Sequence, residues 1–356
     1  MPLLIRQVTP ELIEDFVEFS KSEYKSGSAI NFESIQWRHL NSPAGPSTSV
    51  QLHNDIRQIA RIWVQSNYWK LSQKELRVAS PIDLLIDPDF RKTQVFISIF
   101  NSGMKTALSE SDLVIHTSNP LTDDLYRKLM KLSPVTDLDG AFFPLRPIDL
   151  LSNKFGLSLP KILKIFDIAF RWLVMFMTTV IRGDLRITSV PQTNIQESII
   201  ENFHLTQVFA SRRSAQDREW RYSGAGSFNY QIQWFKSGNS PIGYLVWSDR
   251  EIDGIKGRFI IDIVFEKNLS RYKQMILWSN VINVAIAEDL HALFFLYNSK
   301  CDTLRNLSRF PMIRVKRSLL PQQIPIFVRY EKDLSVIDAD SIMSKGYFVL
   351  ADLDMF

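Results

Sequence analysis

The stretch from residue 81 to residue 131 constrains the fold of this chain most. Its first part is a short apolar run closed by Asp87 and Pro88, which is the pattern of a strand buried on both faces. Apolar residues then recur at helical spacing, and a second apolar strand and a second helix follow. The predicted elements are a strand over 82–86, a helix from Gln94, a strand over 112–117 and a helix over 121–131. This order predicts a mixed α/β domain.

The start of the first predicted helix has the character of an anion site. Arg91, Lys92 and Thr93 lie immediately before the first helical residues. The first backbone N–H groups of a helix have no partner within it, and they favour negative charge. Two cations, a hydroxyl and a helix N-terminus therefore predict a site for a phosphate or pyrophosphate.

The same stretch resembles the core of the GNAT superfamily of acyl-CoA-dependent N-acyltransferases. The matching residues are Asp87, Pro88, Asp89, Phe90 and Arg91 in the loop, and Leu125 and Tyr126 in the second helix. The chain departs from the family at Lys92 and Gln94, where the family usually has glycine, which lets backbone amides approach a phosphate closely. We expect the side-chain charges of Arg91 and Lys92 to compensate in part.

The resemblance implies roles for particular residues. It implies acetyl-CoA or another acyl-CoA as the cofactor, and it makes Tyr126 the candidate acid that protonates the leaving thiolate. His116, at the end of the second strand, is the candidate proton relay, and Asp83, within the first strand, is the candidate base. The implied cofactor-binding residues are Ile86, Arg91, Lys92, Thr93, Gln94, Val95 and Asn119.

Structural interpretations of these residues stay open beside the functional ones. Tyr126 is equally compatible with ordinary packing, and His116 with a satisfied group at a strand end. Asp83 has a counterpart, Asp262, in the second half of the chain, which favours a hydrogen-bond hub. Asn119 precedes a proline, which favours a turn.

The second half of the chain repeats the first. A shift of about 179 positions superposes the apolar patterns without a gap. The matched residues are Ile82 with Ile261, Asp83 with Asp262, Asn101 with Asn280, Asn119 with Asn298, Asp123 with Asp302 and Leu125 with Leu304, and a looser echo joins Trp37-Arg38 to Trp220-Arg221. We therefore expect two tandem GNAT-like domains, each a mixed, twisted β-sheet flanked by helices.

The expected domains are consecutive. Residues 1–150 form the first, in which residues 140–145 complete the sheet, residues 151–190 form an apolar linker helix, and residues 191–356 form a degenerate second domain. The second copy has Arg305 in place of Tyr126, and Ser270-Arg271 in place of Arg91-Lys92. The first domain is therefore the better candidate for the acyl cofactor.

Two further segments resemble tandem GNAT proteins. Trp37, Arg38, Leu40, Pro43 and Gly45 match a pattern near their start, and the last ten residues, 347–356, match their C-terminus. Many such proteins are bacterial and act in cell-surface polysaccharide assembly. Trp37 is interpreted either as a core anchor before a turn or as part of one wall of the acceptor pocket.

The segment 157–181 is the most apolar in the chain. Its longest run without a charge is too short to span a bilayer, which takes about 20 residues. Lys161, Lys164, Asp167 and Arg171 form a narrow polar stripe on it. Two interpretations follow, a helix packed between domains and a helix lying in a membrane interface.

Composition excludes several other classes of function. The net charge is only +4, which does not predict nucleic-acid binding, and the single cysteine, Cys301, excludes an intrachain disulfide. The five histidines show no metal-ligand spacing, so we predict no metal site. No secretory signal is evident, and we expect a cytoplasmic protein, with the inner membrane face as a further location if residues 157–181 contact lipid.

The leading functional hypothesis is transfer of an acyl group, most simply acetyl, from CoA to an amine such as an amino sugar or glycan precursor. One alternative is an inactive GNAT-like scaffold, and another is a transferase that takes its acyl group from an acyl carrier protein. An open V between the strands at 82–86 and 113–117 would favour catalysis. Side chains filling that space would favour a scaffold.

Overall fold

The computed structural model describes most of the chain. The described residues are 2–21, 32–55, 57–72, 74–118, 120–156, 161–181, 185–188, 194–223, 229–238, 240–266, 269–309, 311–315, 317, 320, 323–330 and 343–353. Asn119, one of the predicted cofactor-binding residues, lies outside this part of the chain.

Fifteen strands and ten α-helices are formed by the described residues. The strands are β1 Leu3–Gln7, β2 Thr48–His53, β3 Gln58–Leu71, β4 Lys74–Ile86, β5 Leu113–Thr117, β6 Thr136–Asp137, β7 Asp139–Pro144, β8 Leu185–Thr188, β9 Phe209–Ser211, β10 Gln231–Ser237, β11 Ser240–Ile252, β12 Ile255–Phe265, β13 Ala292–Tyr297, β14 Ile313–Val315 and β15 Pro325–Arg329. The helices are α1 Pro10–Lys21, α2 Phe32–Leu40, α3 Thr93–Glu110, α4 Pro120–Asp124, α5 Pro147–Phe155, α6 Lys164–Val180, α7 Asn194–Thr206, α8 Ala215–Ser223, α9 Arg271–Ala287 and α10 Asp302–Leu307.

Several predicted elements differ in extent from the observed ones. The predicted strand at 82–86 is the end of β4, which begins at Lys74. The helix predicted over 121–131 is a short α4 followed by a π-helical turn, Leu125–Leu129, which contains Tyr126. A π-helical turn marks a local departure from regular backbone pairing and is frequent at functional sites.

The chain forms two compact units, each built from segments that are distant in sequence. Unit 1 comprises residues 1–136, 209–227 and 324–344, and unit 2 comprises residues 137–208, 228–323 and 345–356. The units therefore interleave along the chain, whereas the sequence predicts consecutive domains.

Each unit contains one mixed sheet, and the two sheets have the same plan. The first sheet has the strand order β1-β2-β3-β4-β5-β15-β6, with β9 paired to the far end of β3. The second has the order β8-β10-β11-β12-β13-β7-β14. In both, a helix (α3 or α9) joins a long antiparallel strand to a parallel neighbour, as a crossover connection requires. The predicted duplication matches this correspondence strand by strand.

The two sheets exchange one strand each. β7 comes from the first half of the chain but pairs antiparallel with β13 in the second sheet. β15 comes from the second half but pairs antiparallel with β5 in the first sheet. The expectation that residues 140–145 complete the first sheet is therefore wrong. A six-residue strand carries the same apolar pattern whichever sheet it joins, so its pattern does not identify its partner.

The core of unit 1 lies between α3 and one face of its sheet. Apolar side chains of α3 pack against β2, β3, β4 and β5, and the aromatic rings of Tyr126 and Phe327 belong to the same cluster. The close approach of α3 to the sheet uses Gly103, because a Cβ atom there would lie 2.6 Å from Cγ2 of Ile62. A smaller cluster on the other face joins α1 and α2 to Trp63.

Candidate active site

β4 and β5 of unit 1 pair at only two positions, and we call the unpaired stretch beyond them the strand opening. The two strands pair in parallel only at Val78 with Leu113 and Ala79 with Val114. Beyond these positions, β4 continues to Ile86 and β5 to Thr117, and the pairing between them ends. The backbone groups at the end of β4 therefore have no partner on β5.

A β-bulge lies on β4 at the start of the opening. Arg61 pairs with Leu85 and Trp63 pairs with Ile82, so that Asp83 and Leu84 together face the single residue Ile62. Asp83 has a φ of 51°, in the left-handed region that only a few per cent of residues other than glycine occupy. A bulge of this kind turns backbone groups out of the regular ladder, and bulges are frequent next to active sites.

The Asp83 carboxylate is held by a network of basic and polar side chains. Its Oδ2 lies 2.9 Å from Nε2 of His39 and 3.5 Å from Nη1 of Arg38. On the other side of the imidazole, Nδ1 of His39 lies 3.0 Å from the hydroxyl of Ser47. Residues 39 and 47 are buried, and Asp83 is half-buried.

This network determines the charge of Asp83. Burial opposes its ionisation, but the hydrogen bond with His39 and the positive charges of Arg38, His39 and Arg61 outweigh burial and hold the pKa of Asp83 well below its usual range. The group is therefore a carboxylate at neutral pH and a weak base. Its contacts are those of a hydrogen-bond hub that holds a strained bulge in place.

Tyr126 and His116 lie together in the aromatic cluster beside the opening. Their ring centroids are 5.2 Å apart, and Phe327 from β15 packs on both rings, at 5.7 Å from Tyr126 and 5.1 Å from His116. Leu84 and Ile86 of β4 are partly buried against this cluster. The Asp83 carboxylate instead contacts His39 and Arg38. Of the three candidate catalytic residues, Tyr126 and His116 are thus neighbours, whereas Asp83 has other partners.

Burial decides the protonation states of both groups. It raises the pKa of Tyr126 well above its usual range, against a smaller opposing effect of a hydrogen bond with Thr122. Tyr126 is therefore a protonated hydroxyl at neutral pH. Burial and the charge of Arg329 lower the pKa of His116 to about 3, so its imidazole is neutral at pH 7. Neither ring nitrogen of His116 has a hydrogen-bond partner among the described residues.

The N-terminus of α3 follows the open end of β4. Lys92, at the capping position, has extended backbone angles of −114° and 146°, and its side chain makes no capping hydrogen bond. Residues 91–94 are exposed, and Nε of Arg91 donates to the carbonyl oxygen of Ile86 at 3.3 Å. Amide groups of the first turn are therefore available to an anion, with two cations beside them.

The predicted cofactor-binding residues divide into two groups. Arg91, Lys92, Thr93 and Gln94 are exposed and could contact a pyrophosphate. Val95 is only 4% exposed and packs in the core, so that its side chain is not available to a ligand, whereas its backbone N–H lies in the first turn of α3. Ile86 ends β4 and is partly buried.

The corresponding opening in unit 2 is closed by the chain itself. β12 and β13 pair in parallel up to Ile260 and Phe295 and then separate. The C-terminal segment, residues 346–353, enters the gap. Its Phe348 carbonyl accepts from the backbone N–H of Asn298, and its Tyr347 hydroxyl donates to the carbonyl oxygen of Ile263. The described residues of unit 1 show no counterpart of this bridging segment.

The helix that follows β12 also differs from α3. Ser270 caps α9, since its hydroxyl accepts a hydrogen bond from the backbone N–H of Lys273 at 3.3 Å. One of the free amides at this N-terminus is thus already satisfied. Among the described residues, the first unit is therefore the one whose helix N-terminus has no side-chain cap and whose separated strands are not bridged by another segment.

Sequence reasoning missed the residues that support the bulge. His39 and Ser47 are buried and lie 44 and 36 positions before Asp83, and no spacing rule connects a lone histidine to a carboxylate so far along the chain. A metal site was not expected, and within the described ranges no group of three His, Cys, Asp or Glu side chains could hold a metal ion.

Comparison with solved structures identifies the fold. The chain is similar to N-myristoyltransferase from Saccharomyces cerevisiae with bound myristoyl-CoA, with a TM-score of 0.58 at 10% identity over 93% of this chain and 79% of the other. It is also similar to a GCN5-related N-acetyltransferase from Anabaena variabilis, with a TM-score of 0.59 at 11% identity over 92% and 73% of the two chains.

A third similar structure is a protein from Enterococcus faecalis described as a probable N-acyltransferase, with a TM-score of 0.59 at 11% identity over 93% and 73% of the two chains. No protein-family model matches the sequence, and no curated protein matches it. At these identities the comparisons show the fold, a duplicated GNAT-type α/β architecture.

Proposed function

We propose that this protein transfers an acyl group from an acyl-CoA to an amine, with the cofactor bound by unit 1. The observation that carries the proposal is the difference between the two sheets. In unit 1 the strands separate next to a helix whose first turn has no side-chain cap, and in unit 2 the chain fills the equivalent gap. The similarity in fold to acyl-CoA-dependent N-acyltransferases supports the same function.

The residues of the first unit fit an acyl-CoA in three respects. The amides of the first turn of α3, with Arg91 and Lys92, supply donors and positive charge for a pyrophosphate. The unpaired end of β4 supplies backbone N–H groups that could hold a thioester carbonyl and stabilise an oxyanion. The bound thioester supplies an activated acyl group to which a neutral amine can add.

Tyr126 is our candidate for the acid. Its hydroxyl stays protonated because burial raises its pKa, and it belongs to the cluster against which the end of β4 packs. A phenol of raised pKa is a weak proton donor, so we propose that it stabilises the leaving thiolate chiefly by a hydrogen bond, while the N–H proton that the amine loses on forming the amide passes to solvent water. His116 is neutral and completes the wall on which Tyr126 packs, and Asp83 fixes the bulge from which the β4 amides project.

The acceptor is an amine that we propose to be an amino sugar or a glycan precursor, in a bacterial cytoplasm. A carrier-protein-bound acyl group is the second candidate donor. The exposed cations of residues 91 and 92 favour it, because they offer a basic surface to an acidic partner.

The test uses proline substitutions that remove one helix-start amide in each unit. Thr93 is the first residue of α3, where proline is tolerated because that N–H has no partner within the helix, and the extended Lys92 before it is compatible with proline. Arg271→Pro is the matched control at the first residue of α9, which follows Ser270 at φ −59° and ψ 151°.

Calorimetric titration with CoA, acetyl-CoA and a long-chain acyl-CoA then distinguishes the units. We expect Thr93→Pro and Arg91→Ala each to weaken CoA binding about tenfold or more, since hydrogen bonds to charged groups contribute about 1.5–3 kcal/mol. Arg271→Pro and Arg271→Ala should leave binding unchanged. Equal effects in both units would contradict the assignment to unit 1. Absence of thioester binding by the wild-type protein would reject the CoA-dependent reaction and leave the carrier-protein donor and the inactive scaffold.

A further inference from the structure

Helix α6 is attached to unit 2 with its polar side inward. Its buried residues are Asp167, Val174 and Thr178. The two carboxylate oxygens of Asp167 accept from the backbone N–H groups of Ile148 and Asp149 at 2.8 and 3.0 Å, at the start of α5. This is a fixed polar anchor, because a buried carboxylate needs these partners.

Other polar contacts hold the same side of the helix. Lys164 pairs with Asp149 at 2.9 Å, and Arg171 pairs with Asp289 at 2.7 Å. The hydroxyl of Thr178 donates to Oδ1 of Asn283 on α9 at 2.7 Å. Three residues of the predicted polar stripe, Lys164, Asp167 and Arg171, therefore face the protein, and the contacts fix the rotation of the helix about its axis. The side chain of the fourth, Lys161, lies outside the described part of the chain.

The apolar side of α6 faces outward. Ten of the nineteen large apolar side chains that are exposed among the described residues lie between residues 162 and 180. They are Ile162, Ile165, Phe166, Ile168, Trp172, Leu173, Met175, Phe176, Met177 and Val180, and each is 40–69% exposed. At about 100° per residue these positions cover about 200° of the helix surface. Burial of this face, one interpretation of the sequence, is not what the structure shows.

The exposed face exceeds what a monomer normally leaves in water. Ten such side chains at these exposures present roughly 1,000 Å² of apolar surface, against about 300–600 Å² for the largest patch of an ordinary monomer. Among the described charged side chains of residues 162–180, Lys164, Asp167 and Arg171 all contact the inward side. No helix in the described ranges is long and apolar enough to cross a bilayer.

We propose that α6 is a membrane-surface helix that inserts its apolar face into the interfacial region of a lipid bilayer. The exposed face is wide and convex, and this shape favours a bilayer over a second copy of the chain as its binding partner. A two-fold dimer would bring two convex helices together and cover a stripe of about 100° on each, about half of the exposed face. A bilayer is deformable and covers the whole face at once. Phe and Trp are typical of the apolar face of such helices.

The test is flotation of the full-length protein with vesicles of phosphatidylcholine alone and of phosphatidylcholine with phosphatidylglycerol. One variant combines Phe166→Ser, Trp172→Ser and Phe176→Ser. The matched control combines Leu205→Ser, Ile252→Ser and Ile313→Ser, which are equally numerous and also exposed, at 68%, 50% and 50%. Circular dichroism confirms that both variants fold, and sedimentation velocity without lipid gives the oligomeric state.

We expect the wild-type protein and the control to float with both kinds of vesicle, since the ten side chains of the inserted face are uncharged. The partition coefficient of the α6 variant should be at least about tenfold lower than that of the wild-type protein. The reason is that three large apolar side chains are no longer transferred from water to the bilayer. The proposal is overturned if the wild-type protein binds neither vesicle, or if the α6 variant binds as well as the control. It is also overturned if the wild-type protein is a dimer that the α6 substitutions dissociate and that binds no lipid. None of these outcomes depends on acyl-CoA binding.

Discussion

Trp37 and Trp220 exchange hydrogen bonds, each indole N–H donating to the backbone carbonyl of the other residue. Their rings are stacked with centroids 5.6 Å apart and planes inclined by 29°. The two residues occupy equivalent helices of the repeat, α2 and α8, and both helices belong to unit 1. The pair is thus a reciprocal contact between the two copies of one motif.

Because the contact is reciprocal, the effects of substituting the two tryptophans on the free energy of unfolding should not be additive. Trp37→Phe and Trp220→Phe should each lower the free energy of unfolding by about 1 kcal/mol, since each removes one hydrogen bond between an indole N–H and the carbonyl of the other residue. The double variant should be less destabilised than the sum, by about 0.5–1 kcal/mol. Urea denaturation followed by circular dichroism measures all three values. Trp172→Phe, at a residue that is 68% exposed, is the control and should change stability little. Strictly additive effects would show that the two indoles act independently.

Asp83→Asn should destabilise unit 1 in a manner that depends on pH. The asparagine keeps the shape and tolerates a positive φ, but it loses the charge that His39 and Arg38 stabilise, at a cost of about 2 kcal/mol near pH 7. The folded pKa of Asp83 lies below its unfolded value, so the stabilisation is present above the unfolded pKa and is lost as the pH falls below about 4.

Denaturation curves from pH 7 to pH 3 test this expectation. The difference between wild type and Asp83→Asn should be constant down to about pH 4.5 and then shrink. Asp89→Asn is the control, because Asp89 is 78% exposed and its ion pair with Arg57 should contribute less than about 1 kcal/mol. A difference that grows on acidification would contradict the assigned direction of the pKa shift.

His116→Phe should make the protein more resistant to acid. The pKa of His116 is lowered to about 3, so between this value and the unfolded pKa of about 6.5 the unfolded chain binds more protons than the folded chain. Stability therefore falls as the pH decreases through this window, and His116 accounts for about 2 kcal/mol of the loss between pH 7 and pH 5.

A phenylalanine fits the aromatic surroundings of Phe100, Tyr126 and Phe327 and carries no unsatisfied nitrogen. Thermal or urea unfolding at pH 7 and at pH 5 should show a shallower pH dependence in the variant. An unchanged slope would mean that His116 finds a proton acceptor or that other groups dominate acid unfolding.

Separate expression of the two halves tests the strand exchange. A fragment of residues 1–150 lacks β15, and a fragment of residues 151–356 lacks β7, so each has a sheet without the strand that pairs with β5 or β13. We expect neither fragment alone to give a cooperative unfolding transition. Co-expression should restore a folded complex, detectable by co-purification on a tag carried by one fragment. Cooperative folding of either fragment alone would show that the exchanged strand is dispensable.

Individual helices and strands, and their repetition in the second half, could be predicted from the sequence, because both follow from the spacing of apolar residues. The strand, helix and strand between residues 82 and 117 are found where the pattern places them, with β4 longer than expected. Asp83 and Asp262, which the repeat pairs, lie on the equivalent strands β4 and β12. These two strands have bulges at nearly the same place.

Strand partners and side-chain contacts between residues far apart in the sequence could not be predicted. The pattern of β7 is satisfied by either sheet, and only the completed topology decides which one it joins. The contact of His39 with Asp83 depends on a helix and a bulge that each follow from packing, not from spacing along the chain. The orientation of α6 was also missed, since an apolar helix with a polar stripe ordinarily turns the stripe toward water.

The strand exchange has a consequence for synthesis on the ribosome. The strand that pairs with β5, residues 325–329, is made about 200 residues after β5, so the first unit cannot complete its sheet until that later strand has been synthesised. Until then the open edge of β5 is exposed for as long as about 200 residues take to be added, which is roughly 10–40 s at about 5–20 residues per second. Nascent chains of this protein should accordingly depend on chaperones that shield an unpaired strand, and a premature stop near residue 320 should be more damaging than its small loss of mass suggests.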